Sequence, residues 1–156
     1  MNHEKYLKQT IQLAVENARN DGGPFGALVV DKQGIVVGTG QNKVTSSNDP
    51  TAHAEIQAIR EACNKLETFQ LSDCILYTSC EPCPMCLGAI YWARVEKVYY
   101  AADQKLAAAG GFDDQFIYEE INKTYEQRKI PFYTIDLSEK NAPFEEWLKQ
   151  DNKVEY

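Results

Sequence analysis

Nowhere in this 156-residue chain is there the run of roughly 18 apolar residues that a membrane-spanning helix needs. The opening Met1-Asn2-His3-Glu4-Lys5 is polar and lacks the apolar stretch of a secretory signal, so a cytoplasmic location is expected. Positive charge is also scarce: 16 Lys and Arg stand against 23 Asp and Glu, for a net charge of −7. Sequence-independent nucleic-acid binding draws most of its affinity from basic side chains neutralising phosphates. No basic block stands out here, and even Lys123 to Lys129 is interrupted by Glu126. The expected partner is a small molecule, not nucleic acid or a membrane. No repeat, low-complexity linker or compositional break marks a boundary, so one domain over 1–156 is expected.

Histidine occurs only at His3 and His53. His3, in the polar N-terminus, is read as a solvated residue. Cysteine occurs five times, an odd number, and three of the five crowd into Cys80, Cys83 and Cys86. Without a secretory signal, such clustering points to metal binding rather than to disulfides. Cys63 and Cys74 read as small buried hydrophobes.

Apolar residues at Leu7, Ile11, Ala14, Val15 and Ala18 have the spacing of one buried helix face over Tyr6 to Ala18. Ala27 to Val30 and Ile35 to Val37 flank Asp31-Lys32-Gln33-Gly34, a hairpin signal. Asn48-Asp49-Pro50 predicts a helix start, with Asp49 as N-cap, Pro50 in the first turn and Ile56, Ile59 and Ala62 facing inward. Cys74 to Tyr77 and Val98 to Ala101 read as strands around a helix that opens at Glu81-Pro82-Cys83 and runs through Trp92. Phe132 to Leu137 predicts a fifth strand, and Phe144 to Leu148 a short amphipathic helix before the polar tail. A hairpin followed by alternating helix and strand implies an α/β sandwich, its mixed sheet covered on both faces.

Two stretches carry the chemistry: Thr51-Ala52-His53-Ala54-Glu55 and Glu81-Pro82-Cys83-Pro84-Met85-Cys86. A Cys-x-x-Cys pair at a helix start suits zinc, because the helix N-terminus favours thiolates and the spacing turns both sulfurs to one ion. His53 with Cys83 and Cys86 gives three protein ligands, and catalytic zinc keeps its fourth position for water. Zinc brings the pKa of that water to about 7, which makes hydroxide available for attack. Glu55 is the candidate proton carrier between water and the leaving amine. Residues two apart do not share a helix face, so His53 must point off the helix end while Glu55 projects from the first turn. The spacing Cys80-x-x-Cys83-x-x-Cys86 also fits a closed structural site with Cys80 as fourth ligand.

His53-Ala54-Glu55 followed by Pro82-Cys83-Pro84-Met85-Cys86 has the zinc-deaminase pattern H-x-E and P-C-x-x-C. The chain resembles the cytidine-deaminase-like superfamily over nearly its whole length. That resemblance implies a three-layer α/β/α sandwich with a five-stranded mixed sheet and one catalytic zinc held by His53, Cys83 and Cys86. It leaves Cys80 as a strand-end neighbour. Gly23-Pro24-Phe25-Gly26-Ala27 and Asp49 to Glu55 occur in guanine deaminases and tRNA adenosine deaminases alike, whereas Tyr91-Trp92-Ala93-Arg94 and Gly111 to Tyr118 most resemble bacterial guanine deaminases.

The resemblance implies hydrolysis of guanine to xanthine and ammonia in purine metabolism, with Glu55 and Asp114 catalytic. It implies that Asn42 and Asp114 hold the base, that Phe25, Trp92 and Tyr156 wall the pocket, and that Ala54 lies in contact with the substrate. It also implies a homodimer with possible exchange of the C-terminal segment. Plainer readings stand beside these: Asn42 as a turn residue, Asp113 or Asp114 as a helix cap, Phe25 and Trp92 as core, and Tyr156 as a frayed end. Deamination of tRNA adenosine, or of another base, nucleoside or pterin, shares the same motif, and a catalytically dead zinc scaffold is the reading from another class.

Overall fold

A computed structural model describes residues 1–156, and the chain divides into two compact units, Met1–Gln115 and Phe116–Tyr156. The first is built on a sheet in the order β2-β1-β3-β4, with β1 at Gly26–Asp31, β2 at Val36–Gln41, β3 at Cys74–Cys80 and β4 at Lys97–Ala102. β1 pairs antiparallel with β2 and β3, and β4 lies parallel to β3. The predicted hairpin is present. The Asp31 carboxylate accepts the N–H groups of Gln33 and Ile35, each at 2.9 Å, and Gly34 takes the left-handed turn position at φ 83°.

Every residue of β3 is buried, as a strand covered on both faces must be. Its side chains alternate between two cores. Ile75 and Tyr77 meet Tyr6 of α1 (His3–Arg19). Cys74 and Leu76 meet Ala54, Ala58 and Ala62 of α3 (Ala54–Leu66) and Ile90 and Ala93 of α4 (Pro84–Ala93). The architecture is therefore the expected three-layer α/β/α sandwich, with four strands instead of the expected five.

The α3 layer sits unusually close to the sheet because nothing stands between them. A Cβ on Gly40 would overlap the Ala54 carbonyl and come 2.7 Å from the Ala58 nitrogen; one on Gly38 would overlap the Ala58 carbonyl. Ala54, Ala58 and Ala62, spaced at i, i+4 and i+8, are all fully buried against these glycines. The helix also covers the outer edge of β2: Glu61 accepts the Thr39 N–H at 2.7 Å and Lys65 donates to the Val36 carbonyl at 3.3 Å. An edge capped in this way offers no ladder to another chain.

Several local expectations are corrected. The helix expected from Asp49 begins at Ala54, with His53 as its N-cap. Asp49 instead folds a turn, its Oδ1 accepting the N–H and hydroxyl of Thr51 at 2.8 and 2.6 Å, just after the four-residue α2 (Val44–Ser47). The inward face of α3 is the alanine face, and Ile56 and Ile59 are only half-buried. In α1 the buried residues are Tyr6, Thr10, Ala14 and Asn17, whereas Ile11 and Val15 are each 43% exposed. His3 is not solvated: its Nδ1 lies 2.7 Å from the Tyr77 hydroxyl and its ring stacks on Tyr99 at 4.2 Å. Both partners lie far along the chain, so no local pattern could have revealed them.

α5 (Gln104–Ala109) follows β4, capped by the Asp103 carboxylate on the Leu106 N–H. The second unit takes in all but the first residue of α6 (Gln115–Ile121), a 3-10 turn at Tyr125–Gln127 and α7 (Ala142–Lys149), the predicted amphipathic helix. Phe132 to Leu137 forms no strand. Its alternating side chains suit a pleated surface, but a strand also needs a ladder, and here a local clamp takes over. The Arg128 guanidinium stacks on Tyr125 and Phe132 at 4.8 and 5.0 Å and donates to the carbonyls of Glu120 and Ile121. No helix of the chain is long and apolar enough to cross a membrane.

Gly40→Ala is expected to lower stability by about 1–3 kcal/mol, the usual cost of overpacking, because the added methyl meets backbone rather than a movable side chain. Denaturant unfolding of the metal-free protein reads this directly. Unchanged stability would mean that α3 does not rest on β2 as described.

Candidate metal centre

His53 is the N-cap of α3, in extended conformation at φ −69° and ψ 157°, and Cys83 is the N-cap of α4 at φ −68° and ψ 169°. Pro84 at the first helical position of α4 fixes the chain where the loop enters the helix. Cys86, one turn in, is fully buried, and its N–H donates to the Cys83 sulfur at 3.4 Å. Two helix N-termini thus converge on one point, and their partial positive charge favours thiolates there.

His53 Nδ1 lies 3.5 Å from Cys83 Sγ and 3.5 Å from Cys86 Sγ, and the three donor atoms all lie within 4.8 Å of one another. A tetrahedral zinc ion with Zn–S near 2.3 Å and Zn–N near 2.0–2.1 Å places nitrogen and sulfur about 3.6 Å apart. The donor set and its spacing fit zinc.

Glu55 is the second residue of α3 and His53 precedes the first, which resolves the two-residue spacing. The histidine leaves the helix end while the glutamate projects from the first turn. Glu55 is 6% exposed; its Oε2 lies 3.5 Å from Cys86 Sγ, and its Oε1 accepts the Thr78 hydroxyl at 3.2 Å. Burial is the main cause that pushes its carboxyl above the usual range.

The two thiols are unequal. The hydrogen bond from Cys86 is the main cause that draws Cys83 down to about 4, aided by His53 and the Cys86 N–H. Cys86, as donor in that bond, is pushed up, with burial adding to the effect. His53 is raised, chiefly by its hydrogen bond with Cys83. Cys80 ends β3 outside this group, with its sulfur 3.9 Å from the Asp103 carbonyl and its thiol pushed up to about 11, mostly by burial. The donor atoms gathered within 4.8 Å of one another are those of His53, Cys83 and Cys86, and Cys80 is not among them.

Among the other expected residues, Asp114 is half-buried and lies within electrostatic reach of His53 and Cys83. Its carboxyl is raised by burial first, then by Cys83 and Asp113. Asp113 is the one that accepts the Gln115 N–H, at 3.0 Å. Asn42 follows β2, with its N–H on the Phe25 carbonyl and its Oδ1 accepting the Val44 N–H. Phe25 packs on the α3-side core and meets Phe112 edge-on at 4.9 Å. Ala54 is fully buried against Gly40. Trp92 on α4 is 63% exposed, and Tyr156, in the second unit, is 71% exposed.

Two residues missed by sequence reasoning stand behind this set. Thr78 touches Glu55, as above. Asn17, 5% exposed, donates through Nδ2 to the carbonyls of Gly23 and Asn42, each at 2.8 Å, and so staples the loops before β1 and after β2. An Asn on the inward face of a helix just before Gly22-Gly23 was the available signal.

The family model of the cytidine and deoxycytidylate deaminase zinc-binding region matches residues 1–102. The chain belongs to this deaminase family. A guanine deaminase of Bacillus subtilis is 59% identical over the full length of both chains. A crystal structure of guanine deaminase from Bacillus subtilis matches with a TM-score of 0.97 at 58% identity, covering 100% of this chain and 99% of that one. A guanine deaminase structure from Nitrosomonas europaea matches with a TM-score of 0.67 at 37% identity, over 70% of this chain and 63% of that one. A tRNA-specific adenosine deaminase of Aquifex aeolicus is 41% identical over 67% of this chain and 69% of its own. This deaminase is accordingly a zinc-dependent aminohydrolase with a single catalytic zinc site at the His–Cys–Cys triad.

Cys83→Ser is expected to abolish zinc retention, while Cys80→Ser keeps one zinc per chain. Metal analysis of the two purified variants decides it. Equal loss of zinc in both would make Cys80 a ligand.

Proposed function

We propose that the chain hydrolyses guanine to xanthine and ammonia, with water as the second substrate. The observation that carries the substrate choice is the full-length likeness to a guanine deaminase, 59% identical, and the half-buried Asp114 carboxyl supports it. Guanine presents its N1–H and 2-amino group as adjacent donors, which one carboxylate accepts as a pair. Adenine has a bare N1 acceptor there and would leave the carboxylate unpaired.

Zinc held by His53, Cys83 and Cys86 supplies polarisation of water, bringing its pKa to about 7. Glu55 would take one water proton on Oε2 and pass it to a ring nitrogen of the base, then take the second, from the hydroxyl now on the carbon, and pass it to the departing amine. Asp114 orients the base through its donors. Asn42 spends its Oδ1 on Val44 and keeps Nδ2 as a donor for the base. Phe25, Trp92 and Tyr156 would bound the planar ring, whereas Ala54, expected in contact with the substrate, is fully buried against Gly40 and offers it no surface. A cytoplasmic location is part of this reading, supported by five cysteines with no disulfide among them.

The active form we propose is a homodimer in which the two units act as one deaminase domain. No side chain in 116–156 is buried. Phe144, Trp147 and Leu148 lie on one face of α7 at 71%, 40% and 69% exposure. In the first unit, Ile11, Val15, Phe25, Leu106 and Phe112 line an apolar groove of about 740 Å³, and β4 is a sheet edge. Exposed apolar side chains on both units support a role in association. Exchange of the C-terminal segment with a second copy would cover both surfaces and bring Tyr156 over a base.

The substrate reading is tested by ammonia release. Guanine is expected to be turned over well and adenine poorly, and Asp114→Asn should cut guanine turnover roughly ten- to a hundredfold, the kinetic equivalent of about 1–3 kcal/mol. Faster release from adenine than from guanine would overturn the assignment.

Deleting Val154 to Tyr156 should raise KM or lower kcat for guanine, with zinc content and melting temperature nearly unchanged. Steady-state kinetics on the truncated chain check this. Full activity would leave Tyr156 out of the site.

A further inference from the structure

Side chains at alternate positions of β3 face the α3 layer, and these are Cys74, Leu76, Thr78 and Cys80. Thr78 is the one with a hydroxyl, and it is 1% exposed. A hydroxyl in that position is costly unless it finds a partner, and its partner is Glu55 Oε1 at 3.2 Å. Its register neighbours are Ala27 on β1 and Tyr100 on β4, and the hydroxyl bonds to Glu55 rather than to either.

We infer that Thr78 is a positioning residue for deamination: its hydroxyl holds Oε1 of Glu55, so that Oε2 is the oxygen that carries the proton. This rests on the proton-carrier role proposed for Glu55. The terminal torsion of a glutamate is broad and nearly two-fold, so without a fixed contact either oxygen could face the ligands. Thr78 has one O–H to donate, and it engages one oxygen alone. Oε2 is left at 3.5 Å from Cys86 Sγ, on the side of the metal triad. Threonine suits the task because branching at Cβ stiffens χ1, which holds the hydroxyl direction from a strand that is itself immobile in the sheet. The contact ties the carboxylate to β3 while His53, on the same helix, is tied to Cys83 and Cys86.

The test compares Thr78→Val, which removes the hydroxyl and keeps the branched shape, with Thr78→Ser, which keeps the hydroxyl, on zinc-loaded protein with guanine. The expected result is a kcat for Thr78→Val lower by about ten- to a hundredfold, the usual loss when a group orienting a metal-site residue is removed. KM should stay within about twofold, zinc should remain at one per chain, and Thr78→Ser should restore kcat to within a few-fold of wild type. A crystal structure of Thr78→Val should show the Glu55 carboxylate turned or split between orientations. Should the valine variant fail to fold, Thr78→Ala against Thr78→Ser makes the same comparison. Wild-type kcat in Thr78→Val beside an inactive Glu55→Gln would overturn the inference while leaving Glu55 as the proton carrier. Zinc loss and a lower melting temperature in both Thr78 variants would overturn it in favour of packing. An active Glu55→Gln would overturn the reading on which it rests.

Discussion

The close seating of α3 on β2 governs most of what the molecule can do. Gly38 and Gly40 remove side chains from one face of the strand, and Ala54, Ala58 and Ala62 place only methyl groups opposite them. The helix therefore rests backbone against backbone, and its N-terminus is held at a set height over the sheet. His53 and Glu55 leave from that N-terminus. A larger residue at either glycine would lift the helix and carry ligand and carboxylate away from two cysteines that belong to a different helix. Protein interiors transmit such strain because they are packed like crystals, not liquids. A catalytic group misplaced by about an ångström can cost a hundredfold in rate.

Convergence of two helix starts then sets the electrostatics. Cys83 and His53 are both N-caps, so each stands where unsatisfied N–H groups create positive potential. The Cys83 thiol, drawn down chiefly by the hydrogen bond from Cys86 and further by His53 and the Cys86 N–H, readies the site for a cation. A buried carboxylate one turn away gains from the same cation, and burial keeps competing water off it. Cys80, only three positions before Cys83, is excluded because it belongs to β3 and follows the strand's direction rather than the helix's.

The chemistry was more legible in the sequence than the packing. His53-Ala54-Glu55 and Cys83-Pro84-Met85-Cys86 could be read because ligand spacing at a helix start is a local property. The hairpin at Asp31 to Gly34 could be read for the same reason. The start of α3 was misplaced because Asn48-Asp49-Pro50 carries every local sign of a cap, yet Asp49 uses its carboxylate on Thr51. On the inward face of α3, Ala62 was read rightly and Ile59 packs on the core, but Ala54 and Ala58 were passed over because isoleucines outrank alanines on any hydrophobicity scale, and only the glycines on β2 reveal why alanine is wanted. Phe132 to Leu137 has the alternation of a strand but no ladder, and alternation cannot supply a partner. Thr78, Asn17 and His3 act through partners distant in sequence, which no window of residues displays.

The central claim is that one zinc ion at the triad makes this chain a guanine-hydrolysing enzyme. It is tested most directly by adding zinc in steps to the metal-free protein while ammonia release from guanine is followed. Activity should rise in proportion to zinc and stop rising at one ion per chain. Zinc uptake to that ratio with no ammonia released would contradict the claim, as would full activity before any zinc is added.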